Sequence, residues 1–167
     1  VTTAEDTPVN ITLTATDVEG NPLTYSIVTQ PQHGTLSGAG AAQTYTPAAN
    51  YAGPDSFTFK ANDGTADSNV ATVSINVTAV NDAPVANDVS ASTAEGLPVN
   101  VIMTATDVDG DALSYSVVTG PAHGVLSVAG TVVTYTPVAG YTGLDAFTFQ
   151  ANDGQVDSNV ATATINV

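Results

Sequence analysis

A chain of 167 residues with 16 acidic side chains against a lone Lys60 carries a formal charge of −15 at pH 7. The cationic footprint that binds phosphate backbones is missing, which excludes nucleic acid as a partner and disfavours anionic membrane surfaces. Cysteine and tryptophan are absent, so disulfides and thiolate zinc sites are out of reach, and no run approaches the roughly 18 apolar residues of a membrane-spanning helix.

Taken in chain order, apolar residues alternate with polar ones at Val9, Ile11, Leu13 and Ala15, then at Leu23, Tyr25 and Ile27. Between these runs lies Glu19-Gly20-Asn21-Pro22, a turn composition. The turn Pro31-Gln32-His33-Gly34 and the segment Tyr45-Thr46-Pro47 follow, then alternating runs at Phe57, Phe59, Ala61 and at Ala71, Val73, Ile75, Val77, separated by Asn62-Asp63-Gly64. Period-two alternation in Thr-, Val-, Ile- and Tyr-rich stretches predicts strands with one buried face, and no segment has helical periodicity.

Residues 80–90 interrupt the pattern, and their Asn81-Asp82-Ala83-Pro84 core predicts a short linker stiffened by proline. From Ala91 the sequence repeats without a gap at an offset of about 90 residues, with about 60% identity. Tyr115 matches Tyr25, Pro121-Ala122-His123-Gly124 matches the first turn, and Ala151-Asn152-Asp153-Gly154 matches Ala61 to Gly64. The predicted organisation is therefore a repeat at 1–79, a linker at 80–90 and a second repeat at 91–167. Each repeat is read as an all-β, Ig-like Greek-key sandwich of about seven strands. The pattern begins and ends without a leader or a stop, which predicts a piece of a longer chain.

The acids sit at strand ends and in turns. Asp17-Val18-Glu19-Gly20-Asn21 and Asp107-Val108-Asp109-Gly110-Asp111 place oxygen ligands at alternate positions, where a bending strand can make them converge. Calcium takes 6 to 8 hard oxygen ligands and suits such clustering better than magnesium does.

These motifs resemble the cadherin family. Ala15-Thr16-Asp17-Val18-Glu19 and Ala105-Thr106-Asp107-Val108-Asp109 look like its Ala-x-Asp-x-Asp strand end; Ala-Asn-Asp-Gly at 61 and 151 looks like its Ala-x-Asp-x-Gly; Val80-Asn81-Asp82-Ala83-Pro84 looks like a shortened closing motif. The likeness is nearest to bacterial cadherin-like tandem repeats, through Glu5-Asp6-Thr7-Pro8, Pro31 to Gly34, Tyr45-Thr46-Pro47 and Asp55-Ser56-Phe57-Thr58. The resemblance implies calcium at the junction of consecutive repeats, with Glu5, Asp55, Asn81, Asp82, Asp107, Asp109 and Asp153 as ligands. It also implies weaker half-sites from Asp17, Glu19 and Asp63 toward a preceding repeat, and from Glu95 and Asp145 toward a following one. Ala79 stands where cadherins carry the first Asp of the linker, so fewer than three ions are expected.

The implied function is a non-enzymatic, calcium-rigidified stalk and adhesion unit of a bacterial cell-surface or secreted protein. Its expected partners are neighbouring repeats of the same chain, homophilic contacts or cell-surface polysaccharide. A polysaccharide-binding module, with Tyr51 and Tyr141 as candidate aromatics, is the alternative. His33 and His123, each between a proline-led turn and a glycine, are read as turn packing, since catalytic triads and zinc sites need convergent partners. Glycosidase chemistry from paired carboxylates would need an aromatic-walled cleft.

Overall fold

The computed structural model describes residues 1–167, is free of helix, and divides into two compact units, Val1–Val80 and Asn81–Val167. The first unit has seven strands: β1 (Thr2–Ala4), β2 (Val9–Thr12), β3 (Thr24–Thr29), β4 (Gly34–Ala39), β5 (Ala42–Pro47), β6 (Gly53–Asn62) and β7 (Ala71–Thr78). They form a four-stranded sheet, β1-β7-β6-β3, and a three-stranded one, β2-β5-β4. The chain changes sheets between β1 and β2, β2 and β3, β3 and β4, and β5 and β6, so that strands near in sequence are shared between the two layers of a Greek-key sandwich. All pairings are antiparallel except that of β1 with β7, where Thr2 lies opposite Asn76.

Alternation sets which side chains enter the space between the sheets. On β6, Asp55, Phe57, Phe59 and Ala61 point inward while Ser56 faces out, and Tyr45 from β5 meets them. Tyr45 and Phe57 are fully buried, and Ile11, Leu13, Ile75 and Val77 complete the core. Burial of each large apolar side chain contributes about 1.5–3 kcal/mol, so these few residues dominate the stability of a small sandwich. The β4–β5 hairpin turns at Gly40, whose positive φ of 58° suits the first position of a two-residue loop.

The second unit repeats this plan and adds to it. Its strands are β8 (Val85–Asn87), β9 (Val89–Ser92), β10 (Val99–Ile102), β11 (Thr104–Thr106), β12 (Ser114–Thr119), β13 (Gly124–Ala129), β14 (Val132–Pro137), β15 (Leu144–Asn152) and β16 (Ala161–Asn166). The sheets are β12-β15-β16-β9 and β10-β14-β13, with β8 and β11 as a further antiparallel pair. Both units carry the same irregularity in the third main strand, between Ile27 and Thr29 and between Val117 and Thr119.

The stretch predicted as a linker is a structural part of the second unit. Pro84 is fully buried, and Ala86 is 5% exposed within the core cluster that holds Met103, Tyr135, Phe147 and Phe149. The side chain of Asn159 holds Ala86 by both of its main-chain polar groups: Ala86 N donates to Asn159 Oδ1, and Asn159 Nδ2 donates to the Ala86 carbonyl, each at 3.0 Å. Residues 81–90 therefore fold with the repeat that follows them. The strand count of nine rather than seven in this unit comes from β8 and its partner β11.

Candidate functional site

The acids predicted as ligands fall into two environments. In the second unit the turn after β11 brings Asp107, Asp109 and Asp111 together, with one carboxylate oxygen from each lying within 4.8 Å of the others. Gly110, at a φ of 80°, makes the reversal that folds Asp111 back toward Asp107. The Asp111 amide donates to Asp107 Oδ1 at 3.2 Å, while Asp107 Oδ2 is buried without a hydrogen-bond partner. An unpaired buried carboxylate oxygen beside two further carboxylates is costly unless a cation offsets the charge.

The segment preceding β8 closes on the same end of this unit. The Asp82 amide donates to Asp109 Oδ2 at 2.8 Å, and Asn81 Nδ2 donates to Asp153 Oδ2 at 2.8 Å. Gln155 Nε2 reaches Asn81 Oδ1 at 2.5 Å. Asp153 also accepts from the amides of Gln155 and Val156 through Oδ1. The Asn81 amide first, and then these backbone donors, hold the Asp153 carboxyl below its ordinary range. Five predicted ligands, Asn81, Asp82, Asp107, Asp109 and Asp153, thus share one end of one unit. Asp111 joins them, and the alternation Asp107, Asp109, Asp111 was its signal in the sequence.

In the first unit the corresponding turn is less acidic. Asp17 accepts from the Asn21 amide at 2.9 Å, and Asn21 stands where the second repeat has Asp111. Glu19 is exposed. Asp63 Oδ1 gathers the Ala66 amide, the Thr65 amide and the Thr65 hydroxyl, which lower its pKa and make it an Asx-type turn cap. Glu5 is 4% exposed, and its Oε1 accepts from the Val80 amide at 2.5 Å. Glu95 is exposed.

Asp55 and Asp145 sit in a second environment. Each carboxylate is taken up by the protein's own donors. Asp55 Oδ1 accepts from the amides of Gln32 and Ser56 at 3.0 and 2.8 Å, and Oδ2 from the His33 amide and the Tyr45 hydroxyl at 2.9 and 2.8 Å. Asp145 repeats the set with Ala122, Ala146, His123 and Tyr135. Burial alone would raise both carboxyls; the hydrogen bonds from backbone amides and the tyrosine outweigh it and lower them. The same burial and the adjacent carboxylate push the Tyr135 hydroxyl up to about 12. These aspartates are buried anchors for the Pro-x-His-Gly turn.

The histidines complete that turn. His33 stacks on Tyr51 with ring centroids 4.1 Å apart, and His123 on Tyr141 at 4.2 Å. The two tyrosine hydroxyls donate to the carbonyls of Pro54 and Leu144. One ring face of each candidate sugar-stacking tyrosine is therefore occupied by a histidine of its own unit, and its hydroxyl by backbone.

A two-sheet Greek-key fold, occurring twice with turn-borne carboxylates, defines a tandem of Ig-like and cadherin-like modules. A family model for the bacterial Ig domain matches residues 1–76 and again 81–166, and the chain belongs to that family. The second match begins at the residue where the second compact unit begins.

Among solved structures, human mucin-like protocadherin EC1-2 is similar with a TM-score of 0.53 and 22% identity, over 99% of this chain and 93% of that one. Mouse cadherin-23 EC22-24 gives 0.54 and 16%, over 99% and 62%. At these identities the likeness shows the fold. An endo-fucoidan hydrolase of glycoside hydrolase family 107 is 24% identical over all of this chain and 27% of its own, with a TM-score of 0.42, too loose to carry an argument. The integrin beta-like protein A of Dictyostelium discoideum is 33% identical over 132 residues, 66% of this chain but 7% of that protein. Ig-like and cadherin-like domains are typically extracellular, adhesion-type and non-catalytic. No helix is long and apolar enough to cross a membrane.

Proposed function

We propose that this chain is a calcium-rigidified stalk and adhesion unit of a bacterial cell-surface or secreted protein. The observation that carries the calcium part is the turn of Asp107, Asp109 and Asp111, with carboxylate oxygens within 4.8 Å of one another and Asp107 Oδ2 buried without a partner. Three hard, anionic oxygens already gathered on a flexible turn suit calcium, which tolerates irregular shells. Asn81, Asp82 and Asp153 frame the same end and would complete the set. Bound calcium would offset the like charges that the turn brings together.

Two of the six, Asn81 and Asp82, stand immediately after the boundary at Val80, so holding them fixes the start of the second unit. That the first repeat adds Glu5, and that the ion stiffens the chain at Val80–Asn81, rests on the sequence pattern shared with cadherins. Calcium that binds only the ordered arrangement would favour it over a swivelling ensemble by mass action.

The test is melting temperature and solution-scattering length in millimolar calcium and in excess chelator, for the natural chain and for Asp109→Ala and Asp82→Ala. A higher melting point and a longer particle with calcium alone, both lost in the variants, support the reading. Identical curves with and without calcium would refute it.

A further inference from the structure

The three-stranded sheet of the second unit, β10-β14-β13, is bare of charge. None of its strands holds an acid, a lysine or an arginine, and neither does the chain between Asp111 and Asp145, in a protein whose formal charge is −15. β13 is an edge of that sheet. Edges are ordinarily blunted by charge, proline or a bulge, yet Gly124–Ala129 has neither of the first two and pairs with β14 in unbroken register. Val125 on this edge is 66% exposed and Val128 50%. Beside them, Ile102 and Ala129 flank Val132 in an apolar row across the outer face.

The first unit supplies an internal contrast. There β4 holds the same edge place, so the edge belongs to the repeat itself. But β4 carries Thr35 and Gly38 where β13 carries Val125 and Val128, and Thr12 and Ala42 stand in place of Ile102 and Val132. Gly38 also sits at a φ of 119°, which interrupts the even run of main-chain donors and acceptors along β4. A regular, apolar, uncharged edge is particular to the second repeat.

The hairpin between β13 and β14 fixes which main-chain groups on that edge are free. Its two-residue loop closes on Ala129 opposite Val132, a pair that exchanges both hydrogen bonds, and bonded and non-bonded pairs alternate from there. Ser127 and Val125 are therefore tied to β14, while Gly124, Leu126 and Val128 turn their N–H and C=O groups away from it; Gly124 lies opposite Pro137, which has no N–H to give. We infer that β13 pairs antiparallel with β13 of a second copy of this chain, about a two-fold axis at Leu126. That register sets Leu126 against itself and Gly124 against Val128, so all the free groups of the edge are bonded, and it sets Val125 against Ser127. A second copy fits here because two chains of charge −15 repel wherever carboxylates meet, and this sheet brings none. Five residues a side fall short of the about 800 Å² per partner of a standard interface, so the pairing is weak and reversible. It goes beyond the calcium reading and does not rest on it.

The experiment uses the full 167-residue chain, labelled with 15N and kept in chelator throughout, diluted from millimolar to micromolar concentration at low and at high salt. Sedimentation should show a monomer–dimer equilibrium that tightens with salt, which screens the like charges. Concentration-dependent shifts should be largest at the amides of Gly124, Leu126 and Val128. Ser127→Lys, at an exposed position, should weaken association about tenfold or more by placing a charge on the edge, while Ser37→Lys, with the same net charge on β4, should leave it unchanged. Because the chain has no cysteine, a second readout is free of background. Val125 and Ser127 form a non-bonded pair in the proposed register, with Cα atoms about 4.5 Å apart, within disulfide reach. A mixture of the Val125→Cys and Ser127→Cys proteins should thus cross-link faster under mild oxidation than either alone. A chain that stays monomeric at millimolar concentration in high salt overturns the inference. So do shifts confined to Thr35–Ala39, association indifferent to Ser127→Lys, or a mixture that links no faster than its components.

Discussion

Replacing Asp145 by asparagine distinguishes a buried anchor from a metal ligand. The residue is 6% exposed, and its two oxygens accept four hydrogen bonds, two on each. Asparagine keeps the shape but turns one oxygen into an NH2 donor, so two of the four donors face another donor. If the amide replaces Oδ2, the His123 amide and the Tyr135 hydroxyl lose their acceptor, although Tyr135 retains a weak alternative in the His123 carbonyl at 3.3 Å. If it replaces Oδ1, the amides of Ala122 and Ala146 lose theirs. A buried donor without a partner costs about 1–3 kcal/mol, and loss of the charge weakens the bonds that remain, so Asp145→Asn should destabilise the second unit by about 2–5 kcal/mol.

For a domain of this size 1 kcal/mol corresponds to about 4–8 °C, so its melting transition should fall by at least about 8 °C. Calorimetry on the full chain, run in calcium and in chelator, measures it. The drop should be the same in both, because the bonds are internal to the protein. A loss below about 1 kcal/mol, or a loss seen only with calcium, would refute the anchor assignment.

Acid should act through the same pair of aspartates. Their folded pKa values lie below the ordinary 3.8, so the stability they add is fully present above that value and is lost as pH falls through the lower folded values; chemical denaturation across this acid range checks it. Gly124→Ala drives a methyl group into the Tyr135 ring and should destabilise the second unit by about 1–3 kcal/mol, with Gly34→Ala doing the same against Tyr45 in the first. His33→Ala removes only a surface stack on Tyr51 and should cost about 0.5–1.5 kcal/mol by the same measurement. A larger loss from His33→Ala would show that the imidazole does more than pack.

Strand positions were legible because each long strand buries alternate residues by its own pattern, as Asp55, Phe57, Phe59 and Ala61 do on β6. The segment 81–90 was not, since β8 contributes one inward side chain, Ala86, and exists through Asn159, a residue 73 positions away. Within ten residues, Asn-Asp-Ala-Pro reads as a linker, and nothing local announces a buried proline. The internal partners of Asp55 and Asp145 were hidden for a related reason. An aspartate at the start of a strand looks solvated until Tyr45 or Tyr135, ten residues earlier, is known to aim its hydroxyl at it. The recurrence of turn, tyrosine and aspartate together in both repeats was the available signal. The convergence of Asp107 and Asp109 was legible because alternate acids on a bending strand meet by local geometry alone.

The parallel pairing of an early strand with the last one has a mechanical meaning. In each unit an early strand lies alongside the last strand and runs in the same direction: β1 with β7, and β9, which follows the short β8, with β16. Tension applied through the two termini of a repeat therefore pulls these neighbours past each other along their length. The hydrogen bonds between them, from Val1 to Thr78 in one repeat and from Val89 to Asn166 in the other, are loaded in shear and must yield together rather than peel one by one. The order of strands in the sheet makes each repeat a link that resists stretching along the chain.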